Sequence, residues 1–165
     1  MQNNLRIDYD LDDADALIVI SIGSSITLDS YRKGVTKTRI QLLSFYLKNI
    51  FDMEVEFNPY YFGPYSEAIQ EKLNSTRHLM YYYSKNGLYV LGSKGKELYE
   101  VIKRDRPDII AIAEGVAILN DKQLLGIVYN LFPEMFENAV NKEEAEQEAK
   151  KIRDVLAKCK VGEKA

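Results

Sequence analysis

Residues 30–51 carry Arg32, Lys33, Lys37, Arg39 and Lys48 and no acid at all. Cations spaced this closely, before and at the start of a helix, suit phosphate contact, because they displace condensed counterions from a nucleic acid. Arg77, Lys85, Lys94 and Lys96 form a second group farther along. Gln70, Lys72 and Asn74, in "SEAIQEKLNS", could reach base edges if that stretch is a helix entering a major groove. Glu67 and Glu71 share the stretch and outweigh Lys72, which opposes the passage of DNA phosphates.

Aromatic residues offer a different chemistry. "FNPYYFGPYSEAIQEKL", residues 57–73, gathers Tyr60, Tyr61, Phe62 and Tyr65 around Gly63-Pro64, and "MYYYS" adds Tyr81 and Tyr83. Tyrosine buries area at low entropy cost and keeps a polar tip, so rings turned outward suit a protein partner. Turned inward, the same rings pack a tight turn and the base of a hairpin. In a strand Tyr81 and Tyr83 share one face while Met80 and Tyr82 share the other, so one set is core.

Catalytic patterns are missing. His78, the one histidine, stands beside Arg77 without a nucleophile, base and orienting group in sequence reach. Asp8, Asp10, Asp12 and Asp13 alternate like a cation loop but lack its glycine and closing glutamate, so an acidic arm is expected. One cysteine and one histidine exclude a disulfide framework and the usual zinc sites. No glycine-rich phosphate loop is present. The expectation is a protein without catalytic residues, metal or cofactor.

The elements that must position these residues follow from periodicity and punctuation. At 165 residues, 46% hydrophobic and 28% charged, the chain is long enough for a real core and is not composed like a disordered one. Its net charge of −3 hides segregation, since residues 1–29 hold one arginine against six aspartates. The acidic start lacks a signal-peptide layout and no apolar run is long enough to cross a bilayer, so a cytoplasmic protein without a membrane partner is expected.

"DADALIVISIGSS" predicts a helix over about 13–22, with acids at its positive end and Gly23 at its close. "TKTRIQLLSFYLKNIF" predicts a central helix, with Ile40, Leu43, Leu47 and Ile50 at helical spacing and Thr36 or Thr38 as its cap. "EVEF" reads as extended. Pro64 suits the first turn of the next helix, with Ser66 as cap. Asn86-Gly87 between β-prone runs predicts a type I′ hairpin. Ser93 caps "KGKELYEVIKRD", and "PDIIAIAEGVAIL" reads as a mostly buried helix. Asn120 with Gln123, and Asn141 with Glu144, are capping-box pairs. Ala145, Ala149, Ile152, Leu156 and Cys159 form a seam on the last helix, which docks on its own domain or pairs in a homodimer.

Helix, helix, extended piece, helix, hairpin, helix is the order of a winged helix-turn-helix. The expected fold is mainly α with a small β-hairpin: a winged helix-turn-helix-like core with additional C-terminal helices. Its parts are an arm at 1–12, the core at 13–106, a helical extension at 107–139 and a terminal helix and tail at 140–165.

"TRIQLLSFYL", "FNPYYFGPYSEAIQEKL" and "LLGIVYNLFPEM" together resemble the YwgA-like proteins and the Panacea (SocA-like, antitoxin-associated) domain over roughly residues 14–136. The most specific part is Gly63-Pro64-Tyr65-Ser66 at its distance from Thr38-Arg39-Ile40-Gln41. The chain departs from those families at Leu42, where a lysine is frequent, and in having no tryptophan. The resemblance implies a winged-helix-like scaffold in a prokaryotic regulator or antitoxin-type protein without enzyme chemistry. Two partners follow as expectations: double-stranded DNA, or a cognate toxin-like or regulatory protein on a scaffold that no longer binds DNA.

Overall fold

The computed structural model describes residues 11–75 and 78–164. Most of the acidic arm and Arg77 lie outside them. The described residues form seven α-helices and two small antiparallel hairpins, so the chain is mainly helical, with one hairpin more than expected. They divide into two compact units. The first contains residues up to Phe57 and Ser66–Ile118; the second contains Asn58–Tyr65 and residues from Leu119 onward. The helix beginning at Pro107 therefore belongs with the first unit, not with 119–139.

Helix α1, Asp13–Ile26, is the axis of the first unit. It is buried along nearly its whole length, as a helix apolar on every side must be. The Asp12 carboxylate accepts from the Asp15 N–H at 2.8 Å and caps it. Gly23 does not end the helix, which runs three residues farther. A Cβ at Gly23 would collide with the Tyr99 ring, so the glycine serves close packing.

Helix α2, Lys37–Phe51, starts where the Thr36 hydroxyl accepts from the Arg39 N–H at 3.1 Å. It ends at Asp52, which is left-handed with φ 49°. Ile40, Leu43 and Leu47 are buried, but Ile50 faces outward past the end of the stripe. Met53, Val55 and Phe57 then alternate inward with exposed Glu54 and Glu56, the period of an extended chain, although among the described residues no strand pairs with it.

Helix α3, Glu67–Asn74, is capped by the Ser66 hydroxyl, which accepts from the Ile69 N–H at 3.3 Å. Ser66 is itself gripped by the Gln41 amide, which donates to the Ser66 carbonyl (3.0 Å) and accepts from its N–H (2.9 Å). That pairing gives a physical reason for the spacing between Thr38-Arg39-Ile40-Gln41 and the serine.

The hairpin expected around Asn86-Gly87 forms from β3, Tyr81–Tyr83, and β4, Tyr89–Leu91. Its turn is not type I′. Gly87 has φ 77°, but Asn86 is not left-handed, and residues 84–88 make a longer loop closed by Ser84 N–H to Leu88 O at 2.7 Å. Val35 adds a two-bond bridge to Tyr89 (2.9 and 2.8 Å). Helix α4, Ser93–Asp105, has Gly92 rather than Ser93 at its cap. The Leu79 carbonyl takes the N–H groups of Lys94 (2.7 Å) and Gly95 (3.1 Å) instead, so the hairpin caps the helix. A Cβ on Gly92 or Gly95 would strike the 78–80 backbone. Helix α5, Pro107–Ala117, buries one face through Ile109, Ile110, Ala113 and Ala117 and exposes Ile112, so it is not mostly buried.

In the second unit, β1, Asn58–Tyr60, pairs with β2, Gly63–Tyr65, with Pro59 opposite Pro64. Gly63-Pro64 is thus strand rather than the first turn of α3. Two facing prolines are tolerated because both strands are edges and the pair sits at a non-hydrogen-bonded position, where an N–H would point away from the partner strand. Helix α6, Asp121–Leu131, starts with the expected box: Gln123 N–H to Asn120 Oδ1 and Asn120 N–H to Gln123 Oε1, both 2.9 Å. A 3₁₀ turn, Pro133–Phe136, packs on both strands and leads to α7, Lys142–Lys164. Asn141 makes no capping box, since its buried Oδ1 has no hydrogen-bond partner. Ala145 and Ala149 dock against α6, so the first half of the seam packs within the unit. Gly126 lets the Glu148–Ala149 backbone approach. Val155, Leu156 and Cys159 are exposed.

Candidate interaction surfaces

The expected phosphate-contact residues separate into three kinds. Lys33, Lys37, Lys85, Lys94 and Lys96 are exposed. Arg32 is exposed but bonded to Asp29, and Lys94 lies 3.8 Å from Glu97. Arg39 is no surface cation: it is 1% exposed. Its Nε donates to Ser25 Oγ (3.1 Å), a terminal nitrogen donates to the Ala117 carbonyl (2.6 Å), and the guanidinium lies 3.9 Å from the Tyr31 ring centre. It ties α2 to the end of α5.

The expected base-readers fare differently. Gln70 Nε2 donates to Asn74 Oδ1 at 2.9 Å, one turn along α3. Lys72 turns away, with Nζ 2.6 Å from Asp12 Oδ2 and 3.3 Å from Asp15 Oδ2. Asp15, buried, also accepts from the Tyr81 hydroxyl at 2.6 Å. The hydrogen bond to Asp12 holds the Lys72 ammonium above its ordinary pKa, against partial burial. Burial pushes the Asp12 carboxyl up, but the Lys72 hydrogen bond and the Asp15 N–H outweigh it and bring it below the usual value. The one lysine of α3 is spent inside the unit, while Glu67 and Glu71 stay exposed. Sequence reading missed this cluster. The available signal was Asp12 and Asp15 three apart at the start of a helix, as its cap and in its first turn.

Among the expected ring contacts, Tyr81 is 1% exposed and belongs to the core. Tyr82 and Tyr83 are both exposed, so the strand's alternation fails where the sheet runs past the core, and Tyr83 leans on Tyr89 with centroids 4.9 Å apart. Tyr60, Tyr61 and Phe62 are outward at the tip of β1–β2. Half-buried Tyr65 stacks on Tyr60 at 4.6 Å.

No family model, curated protein or solved structure matches this chain.

Among the described residues no group of three or more His, Cys, Asp or Glu is placed to hold a metal ion, and no helix is long and apolar enough to cross a membrane. The buried tyrosine nearest to acid–base chemistry is Tyr99, whose hydroxyl donates to Glu114 Oε2 at 2.9 Å and lies 3.3 Å from Ser24 Oγ. Burial, with Glu114 adding to it against the Ser24 contact, raises its pKa far above the phenol range. A phenol held that firmly protonated is a structural donor at neutral pH. His78 is exposed.

Proposed function

We propose that this chain is a winged-helix-like prokaryotic regulatory protein of the transcription-regulator or antitoxin kind. It acts in the cytoplasm by binding another protein, without catalysis. Support for the scaffold comes from the element order of the first unit, the Val35 bridge onto the β3–β4 wing, and the resemblance to YwgA-like and Panacea chains. The observation that carries the choice of partner is the α3 surface. Its lysine is held by Asp12 and Asp15, leaving Glu67 and Glu71 toward solvent. A helix presenting carboxylates is repelled by a phosphate backbone.

A second reading rests on the lysines around the wing. Gly34 packs against Leu88–Val90, which brings Lys33 to the same small sheet as Lys85, so phosphate contact by the wing alone is the competing function. One experiment separates the two. The protein purified from its native host is expected to bring down a stoichiometric protein, and the Lys33→Glu/Lys37→Glu/Lys85→Glu variant is expected to keep it. Fluorescence anisotropy with mixed genomic duplex DNA at low salt is expected to show no shift. A salt-sensitive shift lost in that variant would make the protein a DNA binder instead.

A further inference from the structure

The β1–β2 tip breaks the usual chemistry of a tight turn. Such turns take Gly, Asn, Asp or Ser, for φ freedom or local hydrogen bonding. Here the two tip residues are Tyr61 and Phe62, and neither is left-handed; the left-handed step falls on Gly63, at φ 104°. The rings gain little from burial. Tyr60, Tyr61 and Phe62 are 46%, 55% and 57% exposed, and adjacent Val140 is 73% exposed. A local rule broken without a packing gain is the mark of a functional position.

The tip is also held firmly. The Val140 N–H donates to the Tyr61 carbonyl at 2.7 Å, and Tyr60 is stacked on Tyr65. Gly63 lies so close to Phe136 that a Cβ there would come within 2.9 Å of its ring. Rings fixed in place lose little freedom when a partner arrives.

The charge around the tip is mostly negative. The 3₁₀ turn that packs on both strands carries exposed Glu134, the next residue is exposed Glu137, and exposed Glu143 lies in the first turn of α7. Among the described residues none of these three carboxylates has a cation within ion-pair distance, and Lys142 is the lone cation on the same segments. Exposed rings on strands packed against a turn that carries unpaired carboxylates suit a guanidinium or ammonium: the ring quadrupole draws the cation and a carboxylate bonds it. The same acids repel nucleic acid, an anionic membrane and the equivalent face of a second copy.

Resting on the protein-binding reading above, we infer that the Tyr60–Phe62 tip, with Glu134 and Glu137, docks an arginine- or lysine-rich segment of the partner protein. The probe is fluorescein-labelled nona-arginine, with nona-glutamate as its opposite. Nona-arginine should shift the ring resonances of Tyr60, Tyr61 and Phe62, bind more weakly as salt rises, and leave the wing unperturbed, while nona-glutamate should not bind. Tyr61→Ser/Phe62→Ser and Glu134→Gln/Glu137→Gln should each weaken it roughly tenfold, at melting temperatures close to the parent's. Nona-arginine binding that ignores both variants, or a tip that does not respond, overturns the inference.

The co-purified partner supplies the second arm. Its loss from Tyr61→Ser/Phe62→Ser supports the docking surface. Its retention overturns the surface but leaves a protein-binding module standing. Duplex DNA binding with no protein partner removes the functional reading, and the nona-arginine arm still judges the tip.

Discussion

Arg39 and Gly63 show how far a residue's type can be separated from its role. Arginine in a basic run reads as a phosphate contact, yet Arg39 is enclosed by Ser25, Tyr31 and the Ala117 carbonyl. Arg39→Met is expected to lower stability by about 2–4 kcal/mol, because it strands buried polar groups and removes their charged donor. Urea unfolding measures that loss, and an unchanged midpoint would show that the contacts are worth little. Charge reversal at Arg39 therefore tests folding, not binding, and the informative lysines are Lys33, Lys37 and Lys85. Gly63→Ala is expected to cost about 1–3 kcal/mol, since it forces a left-handed alanine against Phe136. The melting temperature reports that cost. The motif around Gly63 was visible in the sequence, but its partner Phe136 lies far along the chain and has no local signature.

Among the elements, those fixed by local chemistry were legible and those fixed by distant contacts were not. Caps at Ser66 and Asn120 needed only a hydroxyl or amide within three residues and form as read, and of the two threonines expected at the second helix it is Thr36 that caps. Asn120→Ala is accordingly expected to cost about 1 kcal/mol by thermal unfolding, with no change in binding. Ser93 failed as a cap because the Leu79 carbonyl reaches the α4 N-terminus first. That is a tertiary contact allowed by Gly92 and Gly95, which sequence reading left unexplained. Gly95→Ala would drive a methyl into the Met80 carbonyl and should push the hairpin off α4. Faster amide exchange across Tyr81–Leu91, with α1 still protected, is the expected signature; unchanged exchange would mean the hairpin is held elsewhere. The β1–β2 hairpin was hidden for a related reason. Two prolines and no Asn-Gly signal argue against strand, and only their pairing opposite one another makes them compatible with it.

At the scale of the folded molecule, the Asp12–Lys72–Asp15–Tyr81 cluster links α1, α3 and the hairpin into one electrostatic unit, and pH is its natural probe. Asp12 titrates below its ordinary 3.8 in the folded state. Its contribution is therefore complete above that value and disappears as pH falls through the lower folded one. Lys72 titrates above its ordinary 10.5, so its contribution is complete below that value and disappears as pH rises through the higher folded one. Stability should form a plateau between these limits and fall on both sides. Lys72→Met removes the ammonium on which both shifts draw, leaving the Asp12 carboxyl with its burial and the Asp15 N–H. In that variant the alkaline fall should shrink, and acid should cost less relative to neutral pH, because the burial that raises the Asp12 pKa is then no longer opposed by the Lys72 ammonium. Chemical unfolding of both proteins from pH 3 to pH 11 reads the difference directly. Parallel profiles would mean that Lys72 is a surface cation after all. It would then be free to face a nucleic acid, and α3 would no longer present only carboxylates to a phosphate backbone.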